Sequence, residues 1–449
     1  MGSIRADGIQ AGRLTPADYE ANFSDIHAPL SKHEAIVESE RCYFCHDAPC
    51  QTACPTSIDI PLFIREIATG NDLGAAETIL SANIMGGMCA RVCPTETLCE
   101  EACVREHAEG KPVKIGLLQR HATDELMASG KQPFKRAPST GKKVAVIGGG
   151  PAGLACAHKL AELGHAVTIF ESKDKLGGLN EYGIAAYKST HDFAQREVDF
   201  ILSIGGIEVK TKHALGCNID IGVLRKEFDA VFVGVGLSGV NKLGLEGEES
   251  LSGVIDAVHY IAELRQAKDL SKLPVGRNVV VIGGGMTAID AAVQSKKLGA
   301  ENVTVVYRRG QPDMKASAYE QEVAQTNGVT LKTFAQPAAL LGEGGKVSAV
   351  RFDETDHVSG RLTTTGGHYT LPADMVLTAI GQLFVPDGLG GADALALEAG
   401  RIKVDAERRT SVKGIWAGGD CVADGQDLTV AAVEDGKQAA LSIHHALNS

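Results

Sequence analysis

The sequence predicts an α/β fold in which a helical, cysteine-rich domain stands ahead of two parallel βαβ units. Three observations carry this. Eight of the 11 cysteines fall between Cys42 and Cys103. Two short apolar runs, residues 144–147 and 278–282, each lead straight into a glycine turn and then a helix-like stretch. The chain has 449 residues, room for about three domains.

Composition narrows the function classes. Lys and Arg total 44 against 56 Asp and Glu, a net charge of −12 with no basic runs, which argues against a nucleic-acid partner. No apolar stretch approaches the ~20 residues of a membrane-spanning helix. Residues 1–10 hold no apolar leader, and Ala6 stands where a myristoylation signal needs Ser or Thr. Cysteine concentrated in one part of a long chain points to metal in a reducing, cytoplasmic setting rather than to disulfides. Glycine, 52 of 449 residues, is in excess without low complexity.

In the first domain, read as residues 1–135, residues 61–67 follow a helix pattern. The cysteines form two groups. The first is Cys42-x2-Cys45-x4-Cys50-x3-Cys54-Pro55, and the second is Cys89-x3-Cys93-Pro94-x5-Cys99-x3-Cys103. Zinc sites favour paired C-x2-C units, and only one such pair is present. Closely spaced cysteines, two followed by Pro, match ferredoxin-type ligation, and eight thiolates would serve two [4Fe–4S] clusters, with late cysteines crossing over. Cys156 and Cys421 have no neighbouring cysteine to pair with and read as small core residues or inert thiols. The histidines, His444 and His445 included, show no ligand spacing and read as surface residues.

Residues 130–143 read as a linker. The first βαβ unit, placed at 142–240, follows: strand 144–147, the turn Gly148-Gly149-Gly150-Pro151-Ala152-Gly153, a helix over 154–164, and strand 166–170 ending at Glu171. This is G-x-G-x-x-G in its required context. Its glycines permit the tight turn, the backbone approach to a pyrophosphate and close helix packing, and Glu171 suits a ribose 2′-OH. The second unit, placed at 241–370, has Gly283-Gly284-Gly285-Met286-Thr287-Ala288, and its second strand ends in Tyr307-Arg308-Arg309 rather than an acid. Arginine there suits a 2′-phosphate, so Arg308, Arg309 and Lys315 favour NADPH, with NADH left open. Two dinucleotide units imply a flavoprotein, with FAD in the first and a nicotinamide cofactor in the second. Residues 371–449 return to the first domain, where Trp416-Ala417-Gly418-Gly419-Asp420 sets an acid after a strand.

This order resembles glutamate synthase small subunits and the N-terminal half of dihydropyrimidine dehydrogenase. The stretches VCPTETLCEEAC and KIGLLQRHAT, within residues 88–123, and GGDCVADGQDLTVAAVEDGKQA are most similar to the small, FAD- and iron–sulfur-carrying subunit of the bacterial NAD(P)-dependent dehydrogenase. The resemblance implies one [4Fe–4S] cluster on Cys42, Cys45, Cys50 and Cys103. It implies a second on Cys54, Cys93, Cys99 and Gln119, with Cys89 a bystander. It implies FAD contacts at Val92, Gly148, Gly150, Pro151, Ala152, Gly153, Glu171, Gly178, Leu179, Lys188, Gly419 and Asp420. The nicotinamide set would be Gly284, Gly285, Met286, Thr287, Arg308, Arg309 and Lys315, with Ala379 and Gly381 also among the cofactor residues. Lys188 replaces an arginine usual in the family, Met286 an aspartate and Lys315 an arginine. After Asp420 only 29 residues remain, too few for an FMN barrel of typically ~250 residues. The expectation is therefore an NAD(P)H-oxidising subunit that passes electrons to an FMN-containing catalytic partner in a hetero-oligomer, where uracil or thymine is reduced. The glutamate synthase partner, or a non-catalytic assembly protein on the same folds, stands as the alternative.

Overall fold

The computed structural model describes residues 8–358, 361–386, 388–389 and 394–448. Ala6 and most of the segment read for a leader lie outside them. Chain contacts divide the molecule into two compact units.

The larger unit comprises His27–Glu181, His191–Gly239 and the chain from Phe384 onward. Its first part is a set of short helices. Ser31 and Glu34 form a reciprocal capping box at the start of Lys32–Ser39. Asp59 caps Ile60–Ala68, and a proline sits in its first turn. That helix buries Ile60, Phe63, Ile64 and Ile67, the i, i+3, i+4, i+7 face that a helix turns to a core. Asp72–Ala82 and Ile115–Ser129 pack against it.

The linker then enters a five-stranded parallel sheet. Its strand order is Ile415–Ala417, Ala230–Val233, Lys143–Ile147, Ala166–Phe170, Ile207–Lys210. The central strands are buried on both faces, as a sheet covered by helices requires. The helix Pro151–Glu162 leaves the glycine turn and packs lengthwise on the C-terminal helix Thr429–Asn448. They approach tightly at Gly436, where an added Cβ would lie 2.0 Å from the Ala152 carbonyl oxygen.

The other unit takes the chain up to Ile26, Tyr182–Thr190 and Val240–Leu383. Its parallel sheet runs Val254–Asp256, Met375–Thr378, Asn278–Ile282, Asn302–Val306, Thr330–Lys332. An antiparallel sheet of Ala335–Glu343, Lys346–Val358 and Arg361–Pro372 follows the fifth strand.

Three expectations need correction. The boundary at 370/371 falls too early. Met375–Thr378 is a central strand of this second sheet, paired between 254–256 and 278–282, so the return to the larger unit begins at Phe384. The Tyr182–Thr190 arm also belongs with this unit and not with its sequence neighbours. Finally, not all histidines are on the surface. His121, His158 and His165 are buried, His165 between Thr140 Oγ1 at 2.8 Å and His444 at 2.9 Å. Cys156 is a fully buried core residue, and Cys421 is buried with its thiol donating to the Gly418 carbonyl. Among the described residues no helix is long and apolar enough to cross a membrane.

The helix crossing makes a direct prediction. Gly436→Ala forces the two helices apart and should cost about 1–3 kcal/mol, read as a lower denaturation midpoint with an unchanged slope. An unaltered midpoint would show that the contact is not a packing constraint.

Candidate functional site

The sulfur-rich part of the larger unit is built from turns between short helices. Cys42 and Cys45 lie in the loop after Lys32–Ser39, Cys50 in the helix Pro49–Ala53, and Cys103 caps Val104–Glu109. These four thiols line one cavity, whose other walls include Ile60, Ile64, Val113 and Ile115. Cys54, Cys93 and Cys99 lie near one another elsewhere: burial first, and Cys54 among the nearby charges, holds the Cys99 thiol high, and both Cys54 and Cys99 add to the rise at Cys93. The cross-over of Cys103 to the first group is thus present in the fold. Among the described residues no three Cys, His, Asp or Glu side chains are drawn together closely enough to hold a single ion. The first four are spread round a space instead, an arrangement that suits a polynuclear cluster.

Burial, and then the nearby Cys42 and Cys103, pushes the Cys50 thiol up to about 12. Such a thiol ligates only by giving up its proton, so the metal has to supply the favourable charge. Gln119 is buried, and its Nε2 donates to the Gly86 carbonyl at 2.7 Å, which turns Oε1 into the amide's remaining acceptor. Cys89 is buried one turn before Cys93, and its thiol contact is the main cause, ahead of burial, that holds Cys93 high. Val92 is the last residue of the helix Gly86–Val92 that carries Cys89.

The first glycine turn joins the strand Lys143–Ile147 to its helix. A Cβ on Gly153 would meet the Gly148 carbonyl oxygen at 1.9 Å, so only glycine lets the helix start this close to the strand. Gly150 caps that helix, with Pro151 at its first position and Ala152 next. Gly178 faces Gly150 backbone to backbone, where a Cβ on Gly178 would come within 2.8 Å. This side-chain-free cradle at a helix N-terminus fits a pyrophosphate. Glu171, just past its strand, accepts from the Gly149 amide at 2.8 Å and from the Lys173 amide at 2.8 Å, which fixes its carboxylate beside the turn. Leu179 is half-exposed at the start of the short helix that follows Gly178.

Gly419 brings the late Gly-Gly-Asp onto the same place, since a Cβ there would lie 3.0 Å from that of Ala152. Burial, then the charges of Asp427 and Asp435, pushes the Asp420 carboxyl up to about 7 despite Arg401. Asp435 holds the loop by accepting from the Gly419 amide at 2.8 Å, and Arg408 pairs with it at 2.7 Å. Asp435 and Arg408 escaped the sequence reading because only the tertiary fold brings the C-terminal helix to this loop.

In the second unit, Gly283 is backed by Ala379, whose carbonyl oxygen would lie 2.2 Å from an added Cβ. Gly285 caps the helix Met286–Lys297, with Thr287 in its first turn, and nothing lies within 4 Å of the position its Cβ would take. Gly284 lies under the Tyr307 ring, and its carbonyl accepts from the Ala316 amide at 3.1 Å. That contact brings the segment of Lys315 to the loop. Arg308, Arg309 and Lys315 are three exposed cations here. Gly381 accepts from the Asn241 amide at 3.0 Å. Lys188 is the one residue of the expected flavin set that falls in this second unit. It is buried in this second unit against Asp290 and Glu320.

Comparison with known proteins agrees with this geometry. The pyridine nucleotide-disulphide oxidoreductase family model matches residues 142–436. The model for dihydropyrimidine dehydrogenase domain II, 4Fe-4S cluster, matches residues 19–131. The NAD-dependent dihydropyrimidine dehydrogenase subunit PreT of Salmonella typhimurium is 36% identical over 92% of this chain and 94% of its own. The glutamate synthase [NADPH] small chain of Escherichia coli is 34% identical over 93% and 92%. Among solved structures, FprA of Mycobacterium tuberculosis in complex with NADPH shares the fold. Its TM-score is 0.56 at 19% identity, over 70% of this chain and 85% of that one. The chain belongs to the pyridine nucleotide-disulphide oxidoreductase family, an FAD- and NAD(P)-dependent electron-transfer oxidoreductase with a 4Fe–4S domain ahead of its dinucleotide-binding domains.

Proposed function

We propose that the chain is the electron-input subunit of a cytoplasmic dihydropyrimidine dehydrogenase. In this reading it oxidises NAD(P)H at FAD and delivers electrons through two [4Fe–4S] clusters to an FMN-containing partner that reduces uracil or thymine. The observation that carries the reading is the crossed sulfur set. Cys42, Cys45, Cys50 and Cys103 surround one cavity, in a segment matched by the dihydropyrimidine dehydrogenase domain. FAD, when bound, supplies the change from two-electron to one-electron chemistry.

The protein's own residues would do the rest. Gly150, Gly153 and Gly178 leave room for a pyrophosphate at a helix N-terminus, and Glu171 offers a fixed acceptor to a ribose hydroxyl. Asp420 would bond the ribityl chain. Arg308, Arg309 and Lys315 would meet a 2′-phosphate, which favours NADPH. The second reading is the glutamate synthase small subunit, supported by a similar identity over a similar length. It shares every part named here and differs in the partner.

Three outcomes are expected. With a candidate large subunit, NAD(P)H oxidation should depend on uracil, and turnover only with 2-oxoglutarate plus glutamine would refute the pyrimidine assignment. For the ligands, Gln119→Ala should lose or alter one cluster while Cys89→Ser keeps both, judged by iron content and low-temperature EPR. Loss of a cluster in Cys89→Ser would overturn that ligand set. The third concerns pH. Asp420 is raised from its ordinary 3.8 to about 7, so between those values the folded apoprotein holds a proton that the unfolded chain has released. Stability from this group is full below pH ~4 and falls as pH rises toward 7. Asp420→Asn apoprotein should therefore gain in melting temperature over wild type as pH goes from 5 to 8. A gap that stays constant would contradict the buried, unpaired state of this carboxyl.

A further inference from the structure

The Tyr182–Thr190 arm lies along the helix Met286–Lys297. The Ala186 amide donates to Gln294 Oε1 at 2.9 Å, and the Tyr187 hydroxyl donates to Asp290 at 3.2 Å. Lys188 Nζ sits 2.8 Å from Asp290 Oδ1 and 2.7 Å from Glu320 Oε1, with side chains 14%, 6% and 12% exposed. Burial alone would lower the ammonium's pKa, but the two carboxylates outweigh it and hold the charge in place.

The two acids stand on helices that both begin at the second glycine loop. Asp290 is the fifth residue of the helix capped by Gly285. Glu320 is the third residue of Ala318–Thr326, whose lead-in residue Ala316 bonds to Gly284. One ammonium thus ties together the two elements that frame this loop, and it sets where Lys315 stands. It also cancels charge. At ~1.5 Å rise per residue, Asp290 lies about 7–8 Å along the axis from the helix N-terminus, near enough for a bare carboxylate to oppose a pyrophosphate.

We propose that Lys188 is a positioning residue of the nicotinamide-dinucleotide site. It braces the helices that start at Gly283–Gly285 and neutralises the acids behind them. This rests on the reading of the second loop as the NAD(P)H site. The group carries one net negative charge with Lys188 present and two without it.

The test uses the full-length protein with its flavin and iron. Lys188→Met, Lys188→Arg and the double variant Lys188→Met with Asp290→Asn are titrated with NADP+ and NAD+ by calorimetry. FAD content is read by absorbance, and KM and kcat for NADPH and NADH with ferricyanide as acceptor. Lys188→Met should weaken dinucleotide binding about tenfold or more, raising KM far more than it lowers kcat, at unchanged FAD content. Lys188→Arg keeps the charge and should stay within about threefold of wild type. The double variant restores the wild-type net charge and should recover most of the binding. It also serves where the single variant fails to fold.

Loss of FAD with intact dinucleotide affinity would assign Lys188 to the flavin and overturn the proposal. Equal losses in the single and double variants would also overturn it, because charge would not be what matters. Wild-type protein that binds neither dinucleotide would remove the site reading itself, a failure distinct from either of these.

Discussion

The helical part of the larger unit depends on sulfur atoms from both ends of the Cys42–Cys103 stretch meeting at one cavity. The α-helices between them run from 5 to 11 residues, shorter than isolated helices that persist in water. Ile60, Ile64, Val113 and Ile115 face the same cavity as the thiols, so what fills it also completes the local core. The neighbouring helix Gly86–Val92 is held from another direction. Glu197, fully buried, accepts from the Met88 amide at 3.0 Å, and burial raises its carboxyl to about 8. A neutral acceptor at that position holds the helix without adding charge to an interior that already collects thiols.

Two solutions to buried charge occur in one molecule. Around Lys188 the chain supplies its own counter-ion to two acids. At the Gly-Gly-Asp loop burial raises both acids, Asp435 to about 6 despite Arg408 and a backbone amide, and Asp420 to about 7. A hydrogen-bonding partner for Asp420 is what a polyhydroxylated ligand would provide. Asp290 and Glu320 are thus paired with a cation of the chain, whereas the carboxylate proposed for binding is raised by burial beside the glycine loop. A perturbed acid in a glycine-rich cleft is a functional signature for this reason.

Much of this was legible in the sequence, because the signals were local. Apolar runs bounded by glycine turns gave the strands, and G-x-G-x-x-G with Glu171 gave the first dinucleotide loop. Cysteine spacing gave the sulfur-rich domain, and the two thiol groups cross in the fold as two-cluster ferredoxins do. What stayed hidden depends on partners distant in the chain. Residues 375–378 look like any buried strand, and nothing local says which of two sheets they complete. Lys188 sits in an unremarkable polar stretch, and its two carboxylates lie more than a hundred residues away. The buried histidines have no spacing signature because their partners, such as Thr140 and His444 for His165, come from other elements.

The strand order of the larger unit sets a schedule for synthesis. Strand Ala230–Val233 occupies its place beside Lys143–Ile147 early, but its other neighbour is Ile415–Ala417. As the ribosome makes the intervening residues, including most of the smaller unit, that strand keeps one edge bare. The helix Thr429–Asn448, which covers Pro151–Glu162, emerges later still. An open edge and an uncovered apolar face on a nascent chain invite pairing with other chains. The parallel sheet of the smaller unit has all its strands by Thr378, and Gln382–Leu383 ends that unit, so it can close first. Chaperone demand should therefore peak once synthesis passes Leu383, and chains that stop soon after it would carry a finished smaller unit beside an unfinished larger one.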